Sequence, residues 1–357
     1  MTIFVDHTHV WRAVTGLERI TLQLFSPQAL APLDVVAVDA HSMSGMVLTQ
    51  NLGLASRLVR YGSSILLCPG FPPSPLLQIF GTRVIPYIHD VFLLTRRHDL
   101  NARAKLYMAW PFARALHHLP RFMVNSLETT TKLAGYCRDD AEIMIYRPGV
   151  PNTFGLHAAD RALRPTRPSS LRLVALGTVE PRKNLIAAAR IVAALRQRGF
   201  PEATLQVIGR RGWGEDWATL ERMPGVILRG YLSEQQAAAV IESADALIST
   251  SHEEGLGLPL LEAQYAGLPI IAPGRSVFHE VLNGSGFFID PADPSAAADS
   301  IAGMVATDGW RAAFVERDAK NIRRWNGLAA LDRWRVIDRL AALGRRRHAA
   351  GDWQTAS

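Results

Sequence analysis

Residues 171–199 read LRLVALGTVEPRKNLIAAARIVAALRQRG. Leu171–Leu176 is a short apolar run with the length of a buried strand. Leu185–Arg198 carries apolar residues at helical spacing, and Gly199 closes it. Between them lies a polar turn, Gly177–Asn184. Strand, turn and helix form the first part of a βα unit, whose crossover lays the next strand parallel to the first. The rhythm continues toward the C-terminus. Thr204–Ile208, Val226–Leu228, Ala246–Ser249, Leu268–Ile271 and Gly286–Ile289 read as strands. Glu234–Ser243 and Pro259–Ala266 read as helices, the second with proline where a missing N–H costs least.

The same alternation runs backwards from residue 171. Thr2–Asp6, Leu33–Val38, Ser64–Cys68, Val84–Ile88, Phe122–Asn125 and Ile143–Tyr146 are strand-like. Leu17–Phe25 is helical after a turn at Thr15–Gly16, and Arg103–His117 is helical but disturbed by Pro111. RALRPTRPSS, Arg161–Ser170, reads as a linker with little to bury. At about 150 residues per domain, 357 residues suit two domains. The expected organisation is two α/β domains with parallel sheets, residues 1–165 and 171–330. An arginine-rich amphipathic helix, 331–347, would pack back toward the first domain, and 348–357 would be a disordered tail.

Composition excludes several classes. With 48% hydrophobic and 20% charged residues the chain is a folded one, not a disordered tail or a fibre. Two cysteines, Cys68 and Cys137, cannot make a disulfide framework and read as buried thiols. The start, MTIFVDHTHVW, reads as a first strand and not a signal peptide. No run reaches 18 apolar residues, and the longest apolar stretch, 64–80, is cut by Pro69, Pro72, Pro73 and Pro75. The net charge is +7, and residues 1–165 hold sixteen basic against eleven acidic residues. A basic first half suits anionic small ligands or lipid headgroups. Aromatic–basic interleaving, finger spacing and a long basic helix are all absent, so nucleic acid is not an expected partner.

Three stretches could carry chemistry. Ser251–Glu262, SHEEGLGLPLLE, places two glycines ahead of a helix start, where backbone N–H groups make an anion site. Glu254 and Glu262 could each accept hydrogen bonds from a vicinal diol. A glycine-rich turn with a helix-favouring surface glutamate would look the same. In GTVEPRKN, Arg182 and Lys183 are adjacent cations at a strand end, suited to a pyrophosphate or simply solvated; Asn184 could cap the following helix. In Tyr87–Asp90, His89 ends a first-domain strand and could bond a sugar hydroxyl, or be structural, with Asp90 holding the ring or shaping the loop. Gly16 alone is a weak signal. HExxH, CxxC, EF-hand, GxSxG and P-loop motifs are absent. His7 and His9 share a face with no third ligand apparent, so no metal is expected.

Together these residues resemble the retaining GT-B nucleotide-sugar glycosyltransferases of family 4, most closely from Leu171 to Pro291. That family's signature is Glu, seven residues, Glu, the spacing of Glu254 and Glu262. EGLGLPLLEA is close to the family pattern EGFGLPxxEA, with Leu256 in place of the aromatic. PRKN and the Ile289–Pro291 IDP also match. The first half is similar mainly at Gly16, His89–Asp90 and Asn125–Ser126.

The resemblance implies two Rossmann-like domains with parallel sheets facing a central cleft, and a nucleotide sugar as substrate with no cofactor or divalent metal. Arg182 and Lys183 would hold the donor diphosphate, Glu262 the ribose and Glu254 the transferred hexose. The backbone from Gly255 through Leu256 and Gly257 to Leu258 would lie against sugar and phosphates. Arg210, Tyr231 and Leu232 would line the nucleobase, Gly16 would leave room for diphosphate or acceptor, and His89 would reach the donor sugar. Catalytic roles would fall to His89, Glu254, Arg182 and Lys183. The wording is most similar to bacterial mannosyl-, rhamnosyl- or fucosyltransferases of lipopolysaccharide and exopolysaccharide assembly. It implies GDP-mannose or another GDP- or dTDP-sugar, and a glycan acceptor on a polyprenyl diphosphate. The site would be cytoplasmic; by charge alone Arg96, Arg97, Arg103 and Lys105 suit either peripheral contact at the inner membrane or ordinary solvated surface. An epimerase or hydrolase on the same scaffold, and a binding subunit without turnover, are the alternatives.

Overall fold

A computed structural model of the chain describes residues 1–11, 16–95, 105–162 and 169–351. Thr15, Arg96, Arg97, Arg103, the middle of the expected linker (163–168) and residues 352–357 lie outside the described residues. The chain divides into two compact units. One is Met1–Pro148 with the chain from Leu328 onward; the other is Gly149–Gly327.

Each unit is built on a six-stranded sheet, and every pairing given for the two sheets is parallel. The first comprises β1 (Thr2–Asp6), β2 (Asp34–Val38), β3 (Ile65–Cys68), β4 (Val84–Ile88), β5 (Arg121–Val124) and β6 (Glu142–Ile145), in the order β2-β1-β3-β4-β5-β6. The second comprises β7 (Arg172–Leu176), β8 (Thr204–Ile208), β9 (Val226–Gly230), β10 (Ala246–Ile248), β11 (Ile270–Pro273) and β12 (Phe287–Ile289), in the order β12-β11-β10-β7-β8-β9. The central strands are almost wholly apolar, Arg172 at the start of β7 apart, as expected when helices cover both faces of a parallel sheet. Every residue of β3 and of β4 is buried.

The second sheet separates two apolar clusters. One gathers Leu173, Ala175, Ile191, Leu195 and Ile301, the other Val174, Leu261, Ile270, Phe278 and Trp325. Alternate residues of β7 supply opposite clusters, as the period of two requires. The ends of β7 and β8 meet backbone to backbone: a Cβ on Gly209 would lie 1.9 Å from the Gly177 carbonyl oxygen. Neither group is a flexible side chain that can move aside. Gly209→Ala is therefore expected to cost about 1–3 kcal/mol, read as a lower melting temperature of the purified chain; an unchanged melt would refute the contact.

Several expectations change. Arg161 is not linker: it lies in the helix Ala158–Ala162, buried, and donates to the carbonyls of Ile241, Ala244 and Ala266. The second unit thus begins at Gly149 rather than near 171. The arginine-rich segment 331–347 is part of one helix, Trp310–Gly351, so residues 348–351 continue it. That helix crosses the division between units. Its later part belongs to the first unit, where Asp332 pairs with buried Arg147 at 2.6 Å and Arg339 grips Glu142 with two bonds of 2.6 and 2.7 Å. Pro111 opens the α-helix Trp110–His118 instead of interrupting it, after a π-helical turn over Lys105–Ala109. Among the described residues no helix is long and apolar enough to cross a membrane.

Candidate functional site

In the second sheet β7 and β10 are neighbours, yet the chain leaves them in opposite directions, β7 toward β8 and β10 toward β11. The loops at their carboxyl ends diverge and open a crevice, the usual ligand position in such sheets. The loop after β7 is Gly177–Asn184. The loop after β10 runs from Ser249 to Gly257. Topology alone therefore brings together two stretches seventy residues apart.

The two loops are tied by bonds to backbone carbonyls of the first. His252 N donates to the Arg182 carbonyl at 2.8 Å, and Thr250 Oγ1 to the Asn184 carbonyl at 2.8 Å. Their side chains converge on one carboxylate. Lys183 Nζ lies 2.5 Å from Glu254 Oε1, and Arg182 Nη1 lies 3.5 Å from Glu254 Oε2. Ser251 Oγ donates to Glu254 Oε1 at 2.7 Å. Arg182 Nε is also 2.5 Å from Glu180. Burial pushes the Glu254 carboxyl up, but the Lys183 and Arg182 charges and the bonds from Lys183 and Ser251 outweigh it. The net shift is downward, so Glu254 is an anion at neutral pH.

Local backbone explains the placement. Gly177 has φ +129, and a Cβ there would sit 3.3 Å from Lys183 Cε, so glycine lets the lysine fold back over the strand end. Asn184 does not cap by its side chain; it takes left-handed φ 50, ψ 40 and turns the chain into the helix Leu185–Arg196. Gly257, at φ +79, does the same for the helix Leu258–Tyr265.

Glu262 lies a full turn inside that helix. It is buried, and Thr153 Oγ1 donates to it at 3.3 Å. Leu256 is buried in one apolar cluster with Leu260 and Ile208, so this leucine packs into the core beneath the loop. Gly255 and Leu258 are half-buried between these anchors. Arg210 and Tyr231, after β8 and β9, form an exposed pair with the guanidinium 4.4 Å from the ring centre. Leu232 packs against the apolar cluster instead.

Gly16 and His89 belong to the first unit. Gly16 opens the helix Gly16–Phe25, exposed, and a Cβ there would meet nothing within 4 Å. His89 Nε2 lies 2.8 Å from the Pro69 carbonyl oxygen. A carbonyl only accepts, so Nε2 carries the proton, and the neutral ring keeps Nδ1 as an acceptor. Burial pushes the imidazole below its usual value, against opposing effects of the Pro69 carbonyl, Asp90 and Glu18. Asn125 Nδ2 donates to the His89 carbonyl at 2.8 Å and fixes the backbone there. Asp90 accepts from Phe92 N, forming the loop turn. His89 and Asp90 line a cavity of about 220 Å³ whose other walls include Leu17, Phe71, Met108 and Phe112.

Ser251, Thr250, Glu180 and Thr153 join the site without having been singled out. Ser251 carried a readable signal, three residues before Glu254. Among the described residues no group of three or more His, Cys, Asp or Glu side chains could hold a metal ion. Cys68 is buried and Cys137 half-buried, both as free thiols.

Residues 170–307 match the family model described as Glycosyl transferases group 1. The O-antigen chain mannosyltransferase B of Escherichia coli is 31% identical over 141 residues, 38% of this chain and 37% of that protein. The match thus spans well under half the length of this curated relative. The fold extends further than the sequence match. A sucrose-phosphate synthase from Thermosynechococcus elongatus superposes with a TM-score of 0.72 at 16% identity, covering 98% of this chain and 99% of that one. HepE of Anabaena, solved with UDP-glucose, gives 0.69 at 15% identity over 96% and 100%. The architecture is the GT-B one expected from the sequence.

Proposed function

We propose that this chain is a retaining, nucleotide-sugar-dependent glycosyltransferase of the family 4 kind. It moves a hexose onto a glycan acceptor, and mannose from GDP-mannose is the favoured donor. One observation carries the reading: two cations and an ionised carboxylate converge at the switch point of the second sheet, with a second carboxylate eight residues on.

Arg182 and Lys183 suit the charge that builds on a departing nucleoside diphosphate. Glu254 suits hexose hydroxyls, which donate to a carboxylate that is already ionised. Glu262 suits the ribose diol, and the Arg210–Tyr231 pair offers a flat face for the base. In the proposed reaction the bond from the anomeric carbon to the diphosphate oxygen breaks. A bond from the acceptor oxygen forms on the same face, and the acceptor proton passes to the departing phosphate. The mannose assignment draws on the similarity to the E. coli mannosyltransferase over 141 residues. A polyprenyl-diphosphate-linked glycan as acceptor, polysaccharide assembly as the setting and a metal-independent reaction at the cytoplasmic face of the inner membrane complete the proposal. HepE, alike in fold, was solved with UDP-glucose; UDP sugars therefore belong in the test.

Thermal stabilisation by GDP, UDP, dTDP and their sugars is the direct test. A ligand at a hundred times its Kd stabilises the native state by about 2.7 kcal/mol. Guanosine nucleotides are expected to raise the melting temperature selectively. Selectivity for uridine or thymidine would replace the GDP-mannose assignment and keep the transferase. A folded sample that responds to none of them would remove the site assignment altogether.

A further inference from the structure

The helix Leu258–Tyr265, which carries Glu262, is only eight residues long. Leu260, Leu261 and Ala263 bury it in an apolar cluster. Apolar contact is non-directional, so it buries the helix without fixing its rotation about its own axis. Hydrogen bonds can fix that rotation, because they require alignment. Besides Glu262 the helix has one buried polar side chain, Gln264. Positions two apart on an α-helix are about 200° apart, so Glu262 and Gln264 point from opposite faces. Thr153 meets Glu262 on one side. A buried polar cluster meets Gln264 on the other.

Gln264 spends both amide protons and its carbonyl oxygen there. Nε2 donates to Asp318 Oδ1 at 2.7 Å and to Ser285 Oγ at 2.6 Å, and Oε1 accepts from Asn321 Nδ2 at 2.7 Å. Asp318 and Asn321, three residues apart, share one face of the long helix that begins at Trp310. Ser285 donates onward to the Leu282 carbonyl. Asn321 also donates to the Val281 carbonyl and accepts from Arg324 Nε, each at 3.0 Å. Gln264, Ser285, Asp318 and Asn321 are all buried, and all belong to the second unit. Asp318 Oδ2 is buried with no hydrogen-bond partner among the described residues. Burial pushes this carboxyl well above its ordinary value; the Gln264 bond and the Arg317 and Arg161 charges offset that only in part. Apolar side chains would fill such a place at less cost. What the polar pair adds is direction: Asp318 holds the nitrogen and Asn321 the oxygen of one amide, which leaves the helix a single rotational setting.

We infer that Asp318 and Asn321 are positioning residues: through Gln264 they set the rotation of the helix that presents Glu262 to a ribose diol. They act through that amide and not on the ligand. The inference rests on the proposed function for the role of Glu262, and it goes further by naming what aims that carboxylate.

The test is titration calorimetry of the full chain with GDP, UDP and their 2′,3′-dideoxy forms, at a temperature where every variant is folded. The parent is expected to prefer the diol form of the nucleotide it binds by about tenfold or more, the worth of a hydrogen bond to a charged group. Asp318→Ala should bind that form about tenfold more weakly and the dideoxy form as before, so that the preference disappears. Asp318→Asn offers Gln264 the same oxygen and should restore the preference. If Asp318→Ala does not fold, Asn321→Ala carries the same comparison. Ile301→Val, in the apolar cluster on the opposite face of the sheet, should lower the melting temperature and leave the preference intact. An Asp318→Ala chain that keeps the preference would overturn the inference. So would one that weakens both forms alike, or an Asp318→Asn chain that fails to rescue. A parent that binds nucleotide without preferring the diol would overturn it through Glu262 and leave the cations of the donor site standing. A parent that binds no nucleotide would remove the proposed function with it.

Discussion

Lys183→Ala is expected to lower transfer by about 10²–10³-fold while the chain stays folded, the usual cost of losing one group that meets developing charge. The lysine is the nearer of two cations on Glu254, and Arg182, at 3.5 Å and shared with Glu180, is poorly placed to replace it. Arginine at 183 should not fully rescue, because the lysine places a point charge on Glu254 from beside Gly177, and a longer planar fork cannot repeat that geometry. The pH profile separates this role from mere scaffolding. In the parent the Glu254 pKa lies below its ordinary value. Its ionised form therefore stabilises the fold above the ordinary carboxylate range, and that contribution is lost as pH falls through the depressed value. Without Lys183 the burial effect gains ground and the carboxyl should protonate at higher pH. The acid limb of activity should move upward in Lys183→Ala. An unmoved acid limb with full turnover would sink the assignment. Glu254→Gln supplies the contrast: nucleoside diphosphate binding should persist, because both cations remain, while hexose transfer falls.

Asp332→Ala is expected to destabilise the first unit by about 3–5 kcal/mol, the cost of leaving a buried charge without its partner. Arg147 and Asp332 are both almost fully buried and meet at 2.6 Å. Two-unit chains need not unfold in one step, so the loss should appear as an earlier denaturant transition, with the nucleotide-responsive transition unmoved. Arg147→Met combined with Asp332→Leu should recover much of it, since an apolar pair of similar volume avoids the desolvation cost. The exposed Arg198–Asp299 pair is the control: Asp299→Ala should shift neither transition measurably. If Asp332→Ala behaves like Asp299→Ala, the buried pair contributes nothing to holding the last helix in place.

The strands and the site loops were readable for related reasons. Parallel strands buried on both faces are short apolar runs, and polar residues just beyond them sit where such sheets bind ligands. That logic singles out PRKN and the Glu254–Glu262 stretch as the loops beyond two neighbouring strands. It did not show that Glu254 is held by Lys183 itself, because the contact depends on strand order and not on spacing. Asn184 read as a side-chain cap because its type permits one; only φ reveals the left-handed turn. Arg161 sat among prolines and serines, yet its guanidinium bonds three carbonyls at the C-terminal ends of two helices. Composition cannot register a buried cation satisfied by backbone. The helical run from Met43 to Arg60 was missed because its outward side mixes Met43, Val47, Leu48, Leu52 and Val59 with polar residues, which blurs the amphipathic period that marks an ordinary surface helix.

The order in which the chain is made gives its division a further meaning. Everything from Gly149 to Gly327 leaves the ribosome before Leu328, and Val150 and Asn326 close that unit on itself by exchanging two hydrogen bonds. Domains fold as units during synthesis. The second unit can therefore be complete while the first still lacks Asp332 for Arg147 and Arg339 for Glu142. The unit whose six strands are synthesised first is therefore the one that finishes folding last.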